Sequence, residues 1–554
     1  MKIPTDFIRN GKNIFLNEQK TILSGAAVIS VTLLASAILG LIKMRLYAGV
    51  LGAGAEFDTF VAAFKIPDFV FQLVVVGSLN AAFIPIFSEF IGRKEAKAAW
   101  KFASNILSLS FFIFVGLCVL LFIFARPLSI LVAAGFPPSQ IDKLVTLMRI
   151  MLLSPILLGV SSFISGCLQS FKRFLVPFLS PIFYNLGAIF GVLILYQPLG
   201  LPGLAWGVVL GAFFHLLVQI PLLRYLGFEY SPTFSFKDAL FVKMAELALP
   251  RTIGLAAEQI KGIFLVNLAS LLPPGNISLL RFGESIQTVP VSVVGVAIAQ
   301  AALPTLSHEA QNQKLFRQTL STSFLQMCYL ILPVSAVLIV LKIPVVRLTL
   351  GIGKFDWAAT VDTSWVLALF AISLLAQSAN ALFVRAFYAL QDTKTPVAIS
   401  VFSVLISLLT ALTLLPFLQV RALPLGVSLG AFLEFFLLFF FLDKKIIFEK
   451  KKIISATAKI FFATIVSAIC IYVPVKVLDQ VFIDTTKVVN LIILVWLVLS
   501  FGGTVYLFLT WFLGCDEIRL FVSLLFKLKN WRQALLSARR ITPSSQPSFL
   551  DDVA

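Results

Sequence analysis

Residues 111–124 read Phe-Phe-Ile-Phe-Val-Gly-Leu-Cys-Val-Leu-Leu-Phe-Ile-Phe. The run is apolar throughout and does not alternate, so it is not a barrel strand, which would show segments of about ten residues with period two. With its flanks it covers 100–125, enough to cross a hydrocarbon core as a helix, which takes about 20 apolar residues. Thirteen further runs of this kind are separated by polar or Pro/Gly breaks: 21–48, 57–88, 144–169, 175–196, 201–223, 239–271, 277–306, 317–342, 361–388, 396–416, 423–442, 454–475 and 488–513. The whole composition agrees. Of 554 residues, 59% are apolar, 55 are phenylalanine and 13% are charged, against about 25% charged in soluble domains. A soluble fold of this size needs a polar coat that this chain cannot supply. The expected fold class is all-α, a polytopic membrane protein with about fourteen spans.

The formal net charge of +18 is read as orientation rather than nucleic-acid binding. One alternate set of connections holds the basic clusters: the N-terminal segment, 92–101, 171–174, 224–243, 309–318, 391–395, 443–452 and the tail. The other set includes 196–202 and 272–276, with no lysine or arginine. The basic set is expected on the cytoplasmic side, which places both termini there. About twenty mixed polar residues, with Lys2, Arg9, Lys12 and Lys20, precede the first run, so that run is expected to stay as a span rather than be cleaved as a signal. Beyond the last span, apolar positions from Ile518 to Trp531 interleave with Arg519, Lys527, Lys529, Arg532, Arg539 and Arg540. This predicts a basic amphipathic helix on the anionic inner leaflet, or else a solvated helix, followed by a disordered end over 542–554.

One offset recurs. Asn80-Ala-Ala-Phe-Ile-Pro-Ile-Phe-Ser88 resembles Ala299-Gln-Ala-Ala-Leu-Pro-Thr-Leu-Ser307, with Pro85 and Pro304 219 residues apart. Pro177 and Pro396 share that spacing, as do Gly207-Val-Val-Leu-Gly-Ala-Phe213 and Gly426-Val-Ser-Leu-Gly-Ala-Phe432. The expected organisation is a cytoplasmic segment over 1–20, a six-helix repeat over 21–223, a second over 224–442, a helix pair over 443–513 and a basic tail over 514–554. Six spans return the chain to its starting side, so the repeats are parallel, a transporter architecture with the substrate site between them.

Ionisable residues inside spans are costly and face cavities or each other. Span two carries Asp58, Lys65 and Asp68. At about 100° per residue Lys65 lies nearly above Asp58, with Asp68 about 80° away. Pro67, Gly77 and Pro85 allow that span to bend. Span one offers Lys43 and Arg45; span seven carries Glu258 and Lys261, with Arg251 near its end; span eight carries Arg281 and Glu284. Spans 396–416, 423–442, 454–475 and 488–513 hold only Glu434 and Lys459 between them. Spans one, two, seven and eight are repeat partners, so these charges are expected to meet between the halves. There Lys43, Arg45, Lys65, Lys261 and Arg281 would line a hydrated cavity for an anion. The i,i+3 pairs are equally readable as structural ion pairs, and end charges as snorkelling ones.

No P-loop is present, Gly52-Ala-Gly54 follows no strand, and the two histidines, His215 and His308, make no nucleophile pairing. The five cysteines are scattered, which supports neither a disulfide framework nor a zinc site. An enzyme is not expected, nor a cofactor; an ion gradient, the membrane potential or a downhill substrate would supply energy.

Gly52-Ala-Gly54, Asp58-Thr-Phe60, Ala63-Phe-Lys-Ile-Pro67 and Ala82-Phe-Ile-Pro-Ile-Phe-Ser-Glu89 resemble the opening of the MurJ/MviN lipid II flippases. Gly295-Val-Ala-Ile-Ala299, Leu303-Pro-Thr-Leu-Ser307 and Arg385-Ala-Phe-Tyr-Ala-Leu-Gln-Asp-Thr-Lys-Thr-Pro396 resemble that family's second half. The likeness runs over about 25–510. It implies a fourteen-helix flippase of the multidrug/oligosaccharidyl-lipid/polysaccharide exporter superfamily. Such a protein carries undecaprenyl-diphosphate-linked peptidoglycan precursor from the inner to the outer leaflet of the bacterial inner membrane. It serves cell wall biogenesis and cell shape, holding the diphosphate on cavity arginines and the lipid tail near the last two helices. Membrane lipids, and possible contact with the cell-wall synthesis machinery, follow as implied partners. Asp58, Lys65, Lys43 and Glu284 match family positions, with lysine at 43 in place of arginine. The chain departs from the pattern at Ala37, Phe71 and Ser285, where arginines are expected, and at Val76, where an acid is. A flippase for another polyprenyl-diphosphate glycan, an antiporter of the same superfamily (for which an acidic cavity is expected) and a non-transporting scaffold remain alternatives.

Overall fold

The structure is a computed structural model and describes residues 22–73, 83–93, 95–235, 238–481 and 487–518. The N-terminal segment, Val76, Gly77, part of the Asn80–Ser88 string and the tail from Arg519 lie outside these residues, as does the side chain of Arg251.

The described residues are helical, without strands. In chain order the helices are α1 (Ile22–Leu51), α2 (Ala55–Phe71), α3 (Ile84–Gly92), α4 (Ala96–Ile123), α5 (Ala125–Val132), α6 (Pro138–Met151), α7 (Leu153–Ser170), α8 (Leu175–Phe190), α9 (Tyr196–Leu199), α10 (Leu201–Leu217) and α11 (Ile220–Tyr225). The second set runs α12 (Ala239–Ser270), α13 (Asn276–Pro290), α14 (Ala297–Glu309), α15 (Gln313–Val340), α16 (Lys342–Leu350), α17 (Trp357–Ile372), α18 (Leu374–Ala389), α19 (Lys394–Leu418) and α20 (Ala422–Ile446). A last pair, α21 (Lys450–Val481) and α22 (Val488–Phe512), follows.

Ten helical stretches are long and apolar enough to cross a membrane, or eleven if the pair α17 and α18, bent by 43°, is one span. One of the ten, Lys394–Ile446, is 53 residues long and folds back at Gln419. Gly426 packs on Ser407 and Ala411, and Gly430 on Ser403 and Ser407, so the partner's number falls as the chain advances and α19 and α20 are antiparallel. The expected spans 57–88 and 239–271 are not among the ten. The first includes residues outside the described set. The second is the continuous helix α12, whose apolar run is broken by Glu258, Lys261 and its neighbours' charges. Length and composition alone therefore do not reach fourteen.

The 219-residue offset returns in the backbone. Lys172 and Gln391 both have positive φ, 56° and 59°. Each closes the same tight turn: Arg173 N–H donates to Leu168 O, and Asp392 N–H donates to Phe387 O, both at 2.9 Å. Gly200 (φ 63°, ψ −143°) and Gln419 (φ 48°, ψ −132°) share a conformation that favours glycine. Glycines set the close helix crossings. A Cβ on Gly187 would come within 2.3 Å of the Gly211 Cα, and one on Gly207 within 2.4 Å of the Gly191 Cα, so α8 and α10 touch backbone to backbone, as small residues allow in membranes. A π-helical stretch interrupts span eight at Val291–Val296, just after Pro290; span two widens in the same way at residues 72–73. Proline removes a donor and crowds the carbonyl one turn back, which favours such a widened turn.

The two helix sets meet around the start of α13 and also where Met244 of α12 packs with Trp100 and Phe102 of α4. Lys354 N–H donates to Gly49 O at 2.9 Å, Gly135 N–H to Ser270 Oγ at 3.1 Å, and the Asn267 amide to Leu131 O at 2.7 Å. Phe57 of α2 stacks on Phe282 of α13 with ring centroids 4.7 Å apart, and Phe355 closes edge-on at 5.3 Å. The α21–α22 pair docks on α15, where Tyr506 Oη donates to Tyr329 O at 2.7 Å. The rest of that pair's surface is apolar and exposed, including Phe461, Phe462, Ile469, Ile492 and Trp496.

Candidate functional site

Asp58 sits in the first turn of α2, nearly fully buried, and reaches across to the start of α13. Its Oδ2 accepts the Gly275 N–H at 2.6 Å, and its Oδ1 accepts the Ser278 N–H at 2.7 Å and the Ser278 hydroxyl at 2.5 Å. The carboxylate therefore caps a helix of the other set, where orphan N–H groups and the helix dipole both favour an anion. Gly275, at φ 101°, makes the turn that aims those donors. Asp58 was expected to line the substrate cavity; it instead ties the two sets together.

Just below this tie, on the seam between the sets, lies a cavity of about 220 Å³ lined by Lys43 of α1, Lys65 and Asp68 of α2, Tyr184 of α8 and Arg281 of α13, with Tyr47, Phe60 and Phe64 as apolar wall. Each charge is held separately. Lys43 Nζ donates to Asn185 Oδ1 at 2.8 Å. Arg281 Nη1 pairs with Glu284 Oε2 at 2.8 Å, both about 40% exposed. Lys65 extends toward α12 at Gly262, where a Cβ would lie 3.5 Å from Nζ. Among the described residues Lys65 has no carboxylate within salt-bridge distance. Lys43, Lys65 and Arg281 thus converge with two carboxylates, leaving a surplus of one positive charge in a space of about seven water volumes.

A second cavity of about 720 Å³ lies within the second helix set, lined by Glu258 and Lys261 of α12, Gln377, Asn380 and Arg385 of α18 and Glu434 of α20. Lys261 Nζ pairs with Glu258 Oε2 at 2.6 Å. Lys261 and Glu258, expected with the other charges, line this second cavity, with Lys261 still in electrostatic reach of Glu284. On the same helix a Cβ at Gly262 would lie 3.5 Å from Lys65 Nζ, so α12 also packs beside the first cavity.

Arg45 lines neither cavity, a further correction. Two residues beyond Lys43 it points about 200° away around α1, and its guanidinium donates to the Leu348 carbonyl. Leu348 lies in the last turn of α16, where unpaired carbonyls and the helix dipole attract a cation. Of the positions that depart from the family pattern, Ser285 hydrogen-bonds within its own helix to Phe282 O at 2.7 Å. Tyr184, Asn185, Asn380 and Gln377 escaped the sequence reading because neutral polar residues in apolar helices carry no charge signal. Glu434 was visible there as the lone carboxylate of the later spans.

The 385–396 stretch forms the turn between α18 and α19. Asp392 accepts the Thr395 N–H at 3.0 Å, the Thr395 hydroxyl at 2.7 Å and the Lys445 ammonium at 2.5 Å. Partial burial opposes its charge, but Lys445 and Thr395 hold the carboxyl down at about 2. Within this stretch Asp392 fixes the loop to α20, while Arg385, Tyr388 and Pro396 line the second cavity.

A family-wide sequence model described as "Lipid II flippase MurJ" matches residues 47–493. A "Probable lipid II flippase MurJ" of Buchnera aphidicola subsp. Acyrthosiphon pisum is 28% identical over 501 residues, covering 89% of this chain and 98% of that protein. A "Lipid II flippase MurJ" of Burkholderia cenocepacia is 27% identical over 431 residues, covering 75% and 83%. Among solved structures, "Lipid II flippase MurJ, inward closed conformation" aligns with TM-score 0.74 at 21% identity, covering 87% of this chain and 98% of that one. An inward-facing multidrug resistance MATE family transporter of the MOP superfamily aligns with TM-score 0.62 at 16% identity, covering 75% and 98%. At these identities the structures speak to the fold alone.

Proposed function

The chain belongs to the lipid II flippase MurJ family, and on that premise we propose that it carries polyprenyl-diphosphate-linked peptidoglycan precursor from the inner to the outer leaflet of the bacterial inner membrane. The observation that carries this reading is the convergence of Lys43, Lys65 and Arg281 on one cavity at the seam between the helix sets. A diphosphate bears multiple negative charges and gains most where several cations meet in a poorly hydrated space. Two parallel six-helix repeats, 21–223 and 224–442, would rock about that seam. Basic loops put both termini in the cytoplasm, so the end closed by Asp58 and Gly275 faces outward and the cavity is loaded from inside. The apolar outer face of α21 and α22 suits the polyprenyl tail.

Ala37, Phe71 and Ser285, where the family carries arginine, favour a second reading: the same reaction on another polyprenyl-diphosphate glycan. Depletion of the resident flippase in a bacterium, with this chain supplied from a plasmid, tests the first. Rescue of growth and cell shape is expected. A chain present at normal membrane levels that gives no rescue would exclude peptidoglycan precursor as its substrate.

A further inference from the structure

Lys43 of α1 reaches the first cavity with no carboxylate within salt-bridge distance among the described residues, and its Nζ donates to Asn185 Oδ1 of α8 at 2.8 Å. Asn185 is 7% exposed. An ammonium has donors only, so the amide oxygen faces it and the amide nitrogen faces away. That nitrogen meets Ser36 of α1, with Ser36 O and Ser36 Oγ both at 3.4 Å. Ser36 and Lys43 are about two helical turns apart, so they share a face of α1 and lie about 10 Å from each other along its axis. Side chains on a helix lean toward its N-terminus, so Lys43 reaches back toward Ser36, and the Asn185 amide bridges the two. The ring of Tyr184, the preceding residue of α8, stands 5.7 Å from the same ammonium and lines the cavity.

We propose that Asn185 is a positioning residue of the anion site: it holds the Lys43 ammonium at the cavity without cancelling its charge. The inference rests on the diphosphate reading of that cavity and adds a residue from span five, 175–196, which has no charged residue of its own. A lysine ends a long flexible stem whose rotamer freedom is lost when it grips a ligand. A hydrogen bond already made in the empty site removes part of that cost before the ligand arrives. It occupies one of the three ammonium N–H groups and leaves two for phosphate oxygens. Neutrality matters as much as the grip. Lys43, Lys65 and Arg281 exceed Asp68 and Glu284 by one charge. A carboxylate in place of the Asn185 amide would cancel that surplus in a poorly hydrated space, where a charge acts most strongly.

The probe is polyprenyl-diphosphate-linked muropeptide titrated onto the purified full-length protein in nanodiscs. Asn185→Ala is expected to weaken binding about three- to tenfold, the worth of one hydrogen bond. Asn185→Asp is isosteric and still an acceptor, yet it weakens binding more, at least about tenfold, because it cancels the surplus charge. In a Lys43→Ala background Asn185→Ala brings no further loss, since the two residues act as one unit. A purely structural asparagine behaves otherwise: its loss costs the same factor with or without Lys43, and its isosteric acidic variant binds like the wild type. Thermal melting of each variant separates lost binding from lost folding, and Asn185→Asp carries the test if Asn185→Ala does not fold. Unchanged affinity in Asn185→Ala, an equal loss in both backgrounds, or full affinity in Asn185→Asp overturns the proposal while leaving the flippase reading intact. A wild type that binds no lipid-linked diphosphate, or that loses nothing on Lys43→Ala, overturns the reading of the cavity and the proposal with it.

Discussion

Alanine at Arg281 is expected to abolish rescue of flippase-depleted cells, and alanine at Lys65 to reduce lipid-precursor binding at least about tenfold, at unchanged membrane levels of each variant. Lys65 has no salt-bridge partner among the described residues, so its removal subtracts one charge-assisted contact to the diphosphate, worth about 1.5–3 kcal/mol. Arg281 differs because it neutralises Glu284. Its loss also leaves the Glu284 carboxylate uncompensated beside the anion site, so the diphosphate loses a contact and meets a repulsive charge as well. The order Arg281→Ala worse than Lys65→Ala is therefore a signature of the geometry, and the double change Arg281→Ala/Glu284→Ala should recover part of the loss. Rescue by both single variants would remove the cavity from the mechanism.

Alanine at Asp58 is expected to loosen the closed end. It strands two donors, the N–H groups of Gly275 and Ser278, each costing about 1–3 kcal/mol when buried without a partner, and leaves the Ser278 hydroxyl only the longer bond to Gly54 O. Some of that is recovered if the helix sets part and water enters, so the change falls on the equilibrium between closed and open ends rather than on folding alone. Amide exchange measured by mass spectrometry across residues 272–284 should accelerate at least about tenfold, a shift of about 1.4 kcal/mol, while peptides of α19 and α20 stay protected. Unchanged exchange at Gly275 and Ser278 would show that Asp58 does not hold the two sets together.

Much of the architecture was legible because a bilayer imposes a simple rule: long apolar runs, interrupted by basic or Pro/Gly breaks. The Gly207 and Gly426 strings share one spacing for a physical reason, since close helix crossings leave no room for a Cβ at those positions. Placing the charges was harder. Lys43 and Arg45, two residues apart, could have been assigned to opposite faces of α1 from helical geometry alone. What draws Arg45 away, the carbonyl end of α16, lies some 300 residues on and has no sequence signature. Asp58 looked like a cavity acid because it shares a face with Lys65; its role as a cap depends on Gly275 bringing a distant helix start to meet it. Lys261 and Gly262 show the limit most plainly. Lys261 lines the second cavity while its neighbour Gly262 packs toward Lys65, and only the packing of α12 between α2 and α19 decides this.

The central claim is that a diphosphate is held where Lys43, Lys65 and Arg281 converge between two rocking helix sets. An experimental structure with polyprenyl-diphosphate-linked muropeptide bound tests it most directly. The account predicts both phosphorus atoms within about 4–5 Å of the Lys65 ammonium and the Arg281 guanidinium, the reach of charge-assisted hydrogen bonds. Density for the diphosphate in the second cavity beside Glu434, or on the outer face of α21 and α22, would contradict it.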